Sequence, residues 1–229
     1  MKRKSLSLIG IILLLWVMQS CSSPPEDQIL KKYIHASNMG DRTTLSTMAL
    51  EPVLIEAESW EITSVTEENV ELYTLPELNK KEVGFKKQQE ESIITTVEAK
   101  GDLDDAEFEL ERARTRAAKR AAQKKVDELK TRYEEIYANH QKLQTDYNVV
   151  KADAAREESI TNFSLGAGDL PNIRELTGEV HFKEVEIKTV AKSETKNYKL
   201  YLRKYNLKDE TLNLPRRGRW IIVKIEVTS

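Results

Sequence analysis

The sequence predicts an α+β protein in which N-terminal helices pack on a bent antiparallel sheet, and a long helical insertion interrupts that domain. Three observations support this class. A helical repeat of apolar residues follows position 25, a stretch without glycine or proline occupies the centre, and alternating apolar residues fill the C-terminal part. Apolar residues at helical spacing indicate a helix with one buried face, whereas alternation indicates a half-buried strand.

The first 20 residues have the pattern of a secretory signal peptide. Basic residues at positions 2–4 precede an apolar run over residues 6–18, which is shorter than the roughly 20 residues that span a bilayer. The segment Met18-Gln19-Ser20-Cys21 resembles the lipobox of bacterial lipoproteins. The resemblance implies cleavage before Cys21 and attachment of lipid to its thiol. An ordinary secretory signal is the alternative, but a lone free thiol would be a liability in an oxidising compartment.

A lipid on Cys21 would hold the chain on a membrane through a short tether, residues 21–25. The expected location is therefore a lipid anchor on the cell membrane, facing the periplasm. Ser22 stands where enteric lipoproteins retained in the inner membrane carry aspartate. The resemblance thus favours the outer membrane in a cell that has two membranes.

Composition narrows the classes of function. Charged residues make up 32% of the chain but the net charge is only −2, so no overall field attracts nucleic acid. One cysteine excludes a disulfide within the chain. The sequence contains no CxxC pair, no HExxH motif and no glycine-rich phosphate loop, and its three histidines are far apart. We assign no metal, no cofactor and no catalytic residue, and we expect no enzyme activity.

The first half of the predicted sheet domain covers residues 26–75. Apolar residues at helical spacing from Ile29 to Ser37 predict a helix that ends before Gly40, and Asp41 is suited to cap a second, shorter helix. Alternating residues over 59–66 and 69–75 predict a β-hairpin.

The helical insertion covers residues 76–160. Residues 76–100 favour a helix followed by a turn at Gly101-Asp102, and residues 103–158 predict one helix roughly 84 Å long. Leu129, Tyr133, Ile136 and later residues recur at intervals of four and three, the spacing typical of a coiled coil, with a slip of phase near Ala121. Because the chain must return to the sheet, we expect a helical hairpin. A rod that pairs with a second subunit, giving a homodimer, is the alternative.

The C-terminal part, residues 176–229, predicts three antiparallel strands after a connecting loop over residues 161–175. Val180 and Phe182 occupy one phase and Val185 and Ile187 the other, so the strand should change face at Lys183-Glu184 through a bulge. The run from Leu214 to Gly218 predicts a basic turn before the last strand.

The segment from Tyr33 to Asp41, followed by Leu45 and Met48, resembles the NTF2-like superfamily, in which helices precede a strongly bent sheet. The resemblance implies that residues 26–75 and 176–229 form one domain. It also implies a small-ligand or enzymatic pocket, for which His35, Trp60 and Trp220 are the candidate lining residues. The long insertion departs from that superfamily.

The insertion also carries a segregated charge pattern. Residues 102–111 include six acids, and a basic run follows. We select seven of its residues as a candidate interaction surface: Arg112, Arg114, Arg116, Lys119, Arg120, Lys124 and Lys125. A solvated helix surface with local ion pairs is the simpler explanation. An interaction surface would meet an envelope protein or an anionic envelope polymer.

Three functions remain open from the sequence. The first is a non-catalytic, lipid-anchored envelope protein that acts as an interaction or scaffold module through its helical insertion. The second is an NTF2-like pocket that binds a small ligand or catalyses a reaction. The third is a coiled-coil dimerisation module.

Overall fold

The computed structural model describes residues 24–166, 168 and 170–228. The expected signal peptide, Cys21 and the first residues of the tether lie outside the described residues. The described part contains four α-helices, α1 to α4, and six strands, β1 to β6. The helices are Pro25–Asn38, Arg42–Met48, Leu75–Arg112 and Arg116–Leu165. The strands are Ser59–Val65, Asn69–Leu72, Thr177–Ala191, Glu194–Asp209, Leu214–Arg217 and Ile221–Thr228.

The six strands form one antiparallel sheet in which β1, β3, β4 and β5 are successive neighbours, β2 pairs with β3 and β6 pairs with β4. The predicted α+β class, with helices on an antiparallel sheet and an inserted helical hairpin, is confirmed. None of the described helices is long and apolar enough to cross a membrane.

Two compact units divide the described chain. The first, the helix–sheet unit, holds the residues up to Asn69, Phe182–Lys204 and the chain from Trp220 onward. The second, the hairpin unit, holds Val70–His181 and Tyr205–Arg219. Strands β3 and β4 supply residues to both units.

The core of the helix–sheet unit forms where α1 and α2 cover the sheet. Leu30, Tyr33 and Ile34 on α1 are at most 2% exposed, as their helical spacing predicts. They pack with buried side chains from α2, β3, β4 and β6, namely Leu45, Val185, Ile187, Leu200, Leu202 and Ile222. Burial of apolar side chains on this scale is the main source of a domain's stability.

The predicted boundary between α1 and α2 is confirmed. Gly40 adopts φ +66°, the left-handed conformation that glycine tolerates after a helix. The Asp41 carboxylate accepts hydrogen bonds from the Thr44 backbone N–H at 3.0 Å and from the Thr44 hydroxyl. These bonds, the hydroxyl bond first, lower the pKa of Asp41, because they favour its charged form.

Two local predictions about strands are wrong. Residues 59–66 and 69–75 do not pair as a hairpin; β1 and β2 each pair with β3 instead. Residues Leu214–Arg217, predicted as a turn, form β5 against the end of β4. In both cases a long partner strand offers backbone hydrogen bonds that the short segment cannot make alone.

The helical hairpin consists of α3 and α4, which run antiparallel. At 1.5 Å per residue, their 38 and 50 residues correspond to lengths of about 57 and 75 Å. The chain reverses at Ala113–Thr115, so the predicted turn at Gly101-Asp102 and the predicted single helix 103–158 are wrong. Ala113 is extended, and the Thr115 hydroxyl caps α4 by accepting from the Ala118 N–H at 3.2 Å. Gly101 instead lies inside α3, and a Cβ built there would meet no atom within 4 Å outside the local helix backbone.

Both helices of the hairpin contribute a heptad seam. On α3 the buried positions include Ala99, Leu103 and Ala106, and on α4 they include Val126 and Ala154. The two phases of the predicted seam belong to two different helices, which join at Ala113–Thr115 rather than near Ala121, a residue inside α4. The predicted seam of α4 packs against α3 of the same chain.

A polar contact lies within this apolar seam. The Ser92 hydroxyl and His140 Nδ1 are 2.8 Å apart, and they join the middle of α3 to the middle of α4. A polar pair at one seam position favours a single register, because any slip would separate two partly buried groups that now hydrogen-bond each other.

At the base of the hairpin, α4 continues to Leu165, so residues 161–165 are helical rather than part of the predicted connecting loop. Thr161 and Ser164 are buried, and Gly166 ends the helix at φ +62°. The Ser164 hydroxyl donates to the Arg219 carbonyl at 2.7 Å, and the Arg219 N–H donates to the Ser164 carbonyl at 2.9 Å. These two hydrogen bonds fix the last turn of α4 to the chain that precedes β6.

Arginine and tyrosine side chains complete the base. Arg174 donates to Glu158 on α4 at 2.7 Å and to Glu82 on α3 at 2.6 Å. The bond to Glu158 is the largest cause of the raised pKa of Arg174. The buried Tyr205 ring meets the Tyr73 ring edge-on at 5.9 Å, and its hydroxyl donates to Glu157 at 2.8 Å.

Both long strands change their buried face. On β3 the buried positions shift phase between Val180 and Val185, as the sequence predicts. On β4 they shift between Leu202 and Tyr205, which the sequence analysis did not anticipate. In each strand the change falls where the chain passes from one unit to the other.

Candidate interaction surface

The seven basic residues selected from the sequence lie together at the end of the hairpin where the chain reverses. One is the last residue of α3, one lies in the turn, and the others occupy the first three turns of α4. All seven are exposed. No acidic residue occurs between Arg112 and Lys125. We call the four of them nearest the turn on the α4 side the basic tip: Arg114, Arg116, Lys119 and Arg120.

The surrounding ion pairs separate the seven residues into two groups. Lys125 binds Glu109 across the hairpin at 2.8 Å, and Lys124 lies 3.6 Å from Glu128 on its own helix. The Arg112 guanidinium stacks on the Phe108 ring at 4.0 Å. By contrast, no carboxylate in the described chain lies within ion-pair distance of a basic-tip residue. The simple explanation of local ion pairs therefore applies to Lys124 and Lys125 and not to the basic tip.

The direction of α4 strengthens the positive potential at the basic tip. A helix N-terminus carries roughly half a positive charge, so acids are favoured there and bases are disfavoured. The first turn of α4 contains no acid, and Arg116, Lys119 and Arg120 follow its cap. In α1 the corresponding turn contains Glu26 and Asp27. The arrangement in α4 costs stability in the isolated chain and favours the binding of an anion.

A shallow depression of about 570 Å³ lies on this surface. Leu110 and Gln123 line it together with the four basic-tip residues. Guanidinium groups bind carboxylate and phosphate oxygens in a bidentate manner, which makes arginine well suited to anionic groups. An open, polar and strongly basic surface fits a large anionic partner better than a small enclosed ligand.

The pocket candidates from the sequence occupy different environments in the described chain. His35 is exposed on α1. Trp60 and Trp220 are half-buried and pack against the core of the helix–sheet unit. A separate depression of about 360 Å³ in that unit is lined by the β3–β4 turn and the chain near Leu54, and it contains none of the three candidates.

The described residues contain no group of three or more histidine, cysteine, aspartate or glutamate side chains arranged to hold a metal ion. His181 is 2.8 Å from the Asn206 side chain and 4.0 Å from the Glu179 carboxylate. Neither a protein-family model nor a curated protein nor a solved structure matches this chain.

The basic run is evident from the sequence, but the sequence does not show which of its residues have carboxylate partners and which do not. The break between α3 and α4 was the missing information, since it converts a run along one helix into the end of a hairpin. The local signal for that break was Thr115, a residue type that is favoured at helix N-caps. Its hydroxyl accepts a hydrogen bond from the Ala118 N–H.

Proposed function

We propose that the protein is a lipid-anchored bacterial envelope protein that acts as a non-catalytic interaction module, with the basic tip of its hairpin as the binding surface for an anionic partner. The single observation that carries the proposal is the basic tip itself. Its four cations have no carboxylate partner in the described chain and stand at the positive end of α4. Unpaired charges at an exposed position attract a partner of opposite sign and raise its rate of association.

The anchor part of the proposal rests on the sequence. The basic start, the apolar run and Met18-Gln19-Ser20-Cys21 favour lipidation at Cys21 and a location on the periplasmic side, with the outer membrane preferred in a cell that has two membranes. The partner is then an envelope protein or an anionic polymer of the envelope. Because α3 is about 57 Å long, the hairpin holds its tip at roughly that distance from its base.

The binding surface is tested with a variant that removes charge but keeps polar, unbranched side chains. The partner-binding variant changes Arg114, Arg116 and Lys119 to glutamine. The matched control removes the same number of positive charges by Lys→Gln changes at three exposed positions along α4, namely Lys130, Lys142 and Lys151. Each full-length protein is isolated with its membranes, and the material that accompanies it is compared.

We expect the control to retain the partner of the parent chain and the tip variant to lose it. Raising the salt concentration should weaken the interaction of the parent chain, because exposed charges are screened over roughly 8–10 Å at physiological ionic strength. Equal recovery of the partner with both variants would refute the basic tip as the binding surface.

The anchor is tested separately. Replacing Cys21 with serine should move the protein from the membrane fraction to the soluble envelope fraction, whereas replacing Ser22 with alanine should leave it on the membrane. A Cys21→Ser protein that stays membrane-bound would contradict lipid anchoring and would leave the test of the tip unaffected.

A further inference from the structure

The outer face of α3 carries apolar side chains that stay more than half exposed in the described chain, although the Arg112 guanidinium stacks on one of them, Phe108. Val83, Ile94, Val97 and Phe108 are 62%, 61%, 66% and 51% exposed. At 100° per residue they fall within an arc of about 60°, on the side of α3 opposite the seam that packs against α4. Together they form an apolar stripe about 38 Å long, which Glu90 and Gly101 interrupt on the same arc. Large apolar side chains aligned on one exposed face mark a surface for association.

The spacing of the stripe is symmetric. Val83 and Ile94 are eleven residues apart, as are Val97 and Phe108, and the pattern is centred between Thr95 and Thr96. A second α3 laid antiparallel across this centre therefore places Val83 level with Phe108 of the other copy, and Ile94 level with Val97. Self-complementarity of this kind is what a two-fold interface requires, because the same surface must serve both subunits.

The charges beside the stripe have the same symmetry with opposite sign. Lys86 and Lys87 lie as far before the centre as Asp104 and Asp105 lie after it. In the antiparallel arrangement each lysine pair is level with the aspartate pair of the other copy. Within one chain Lys86 and Lys87 lie 4.0 and 3.9 Å from Glu90 and Glu91, the limit of ion-pair contact. On the acidic side, the Asp104 carboxylate binds Lys100 of its own helix. Such exposed pairs contribute little, so the lysines and Asp104 can change partners.

A glycine also lies on this face. Gly101 is inside α3, where glycine costs roughly 0.5–1 kcal/mol relative to alanine, and no other atom lies within 4 Å of a Cβ built at this position. Packing within one chain therefore does not require it. In the antiparallel pair Gly101 is level with Glu90 of the other copy, so the missing side chain lets the two helices approach there.

From these observations we infer that the outer face of α3 is a homodimer interface in which two copies of this chain pair antiparallel about the point between Thr95 and Thr96. The occupant is a second copy rather than another protein, because both the apolar spacing and the charges are complementary to themselves. The interface is distinct from the basic tip and from the α3–α4 seam. Its failure would leave the proposed function unaffected.

The register is tested by disulfide formation in the full-length protein in its own membranes. Two copies of residue 97 face each other beside the symmetry axis, within the Cα separation of about 7 Å that a disulfide tolerates. Val97→Cys should give a covalent dimer under mild oxidation. Val149→Cys, at an exposed position on α4, and the parent chain, whose only cysteine is Cys21, should give none above background. No dimer from Val97→Cys, or equal dimer from both variants, would overturn the inference.

The charge pattern is tested by exchange between two differently tagged copies. One variant carries Lys86→Glu and Lys87→Glu, and the other carries Asp104→Lys and Asp105→Lys. Each alone places like charges level with each other and should not self-associate, although its helix content should match that of the parent. Coexpressed, the two variants restore both charge matches and should co-purify. Self-association of either variant alone, or no association when they are mixed, would overturn the proposed register.

Discussion

The two ends of the helical hairpin use the same kinds of side chain in opposite ways. At the base, Arg174 bridges Glu82 and Glu158, which fixes α3 and α4 to each other. At the tip, Arg114 and Arg116 have no described carboxylate within ion-pair distance. Arginine at the base therefore has a structural role that its contacts define. Arginine at the tip has no such role in the chain, which leaves it available to a partner.

The difference extends to packing. Tyr205 at the base is fully buried, and Ser164 exchanges hydrogen bonds with Arg219. The tip is held by a narrower contact in which Leu103, Ala106 and Val126 form a small cluster. Substitutions at the base should therefore change stability, whereas substitutions at the basic tip should change binding.

The largest expected effect is at Tyr205. Tyr205→Ala removes a buried ring, its edge contact with Tyr73 and its bond to Glu157, so we expect a loss of about 3–5 kcal/mol in the free energy of unfolding. Urea denaturation measures it. Tyr137→Ala is the control, because Tyr137 is 42% exposed and stacks only on Tyr133, and it should cost about 1 kcal/mol. Equal losses of unfolding free energy in the two variants would show that the base is no more tightly packed than the surface of α4 around Tyr137.

The next effect concerns two glycines of the hairpin unit. Gly178 adopts φ +140°, and an added Cβ would lie 2.3 Å from the Asn206 carbonyl oxygen. Gly178→Ala should therefore cost on the order of 2 kcal/mol, since backbone on both strands must move. Gly84→Ala, inside α3 where nothing lies within 4 Å, should instead stabilise by roughly 0.5–1 kcal/mol. Thermal melts of the two proteins should shift in opposite directions, and shifts in the same direction would contradict the account.

A smaller effect compares one arginine from each end. Arg174→Ala should cost about 1 kcal/mol, a value reduced from that of a buried charged hydrogen bond because the side chain is 31% exposed. Arg114→Ala should leave the free energy of unfolding within about 0.5 kcal/mol of the parent. Chemical denaturation of both proteins provides the comparison. A larger loss from Arg114→Ala would mean that the tip has a structural role.

The smallest effect has the opposite sign. Arg116→Glu places an acid in the first turn of α4, where it complements the helix dipole, so it should stabilise the fold by about 0.3–1 kcal/mol. The same change should abolish partner binding. Differential scanning calorimetry and co-isolation of the partner together test this pair of outcomes. A destabilised protein, or a stabilised one that still binds, would contradict the separation of stability from binding.

The sequence predicted the parts of the fold that depend on local pattern. The helical spacing of Leu30, Tyr33 and Ile34 identified the buried face of α1, and Asp41 identified a helix cap. The heptad spacing from Leu129 identified the seam and, through the need for the chain to return, the hairpin. Each of these features is determined by residues within one or two helical turns.

Features that depend on distant partners were predicted poorly. Alternation cannot tell whether β1 pairs with β2 or β3, because it marks the two faces of a strand and not its neighbours. The change of face between Leu202 and Tyr205 depends on which distant side chains pack on each end of β4. Gly101 suggested a turn, yet helix and seam contacts on both sides outweigh the cost of one exposed glycine.

The residues of the candidate site were predicted from the sequence, but their position at the end of a hairpin was not. The seven basic residues were selected by charge, but only the reversal at Ala113–Thr115 separates the four at the tip from those with partners. Local sequence does not specify that Lys125 reaches Glu109, because sixteen residues and a turn separate them.

Position-specific photo-crosslinking in the native envelope tests the central claim most directly. A photoreactive side chain replaces Lys119 at the basic tip or Lys142 midway along α4, in the full-length protein. The account predicts one defined adduct from position 119 that diminishes as salt is raised, and none from position 142. The same adduct from both positions, or none from position 119, would contradict the assignment of the hairpin tip as the binding surface.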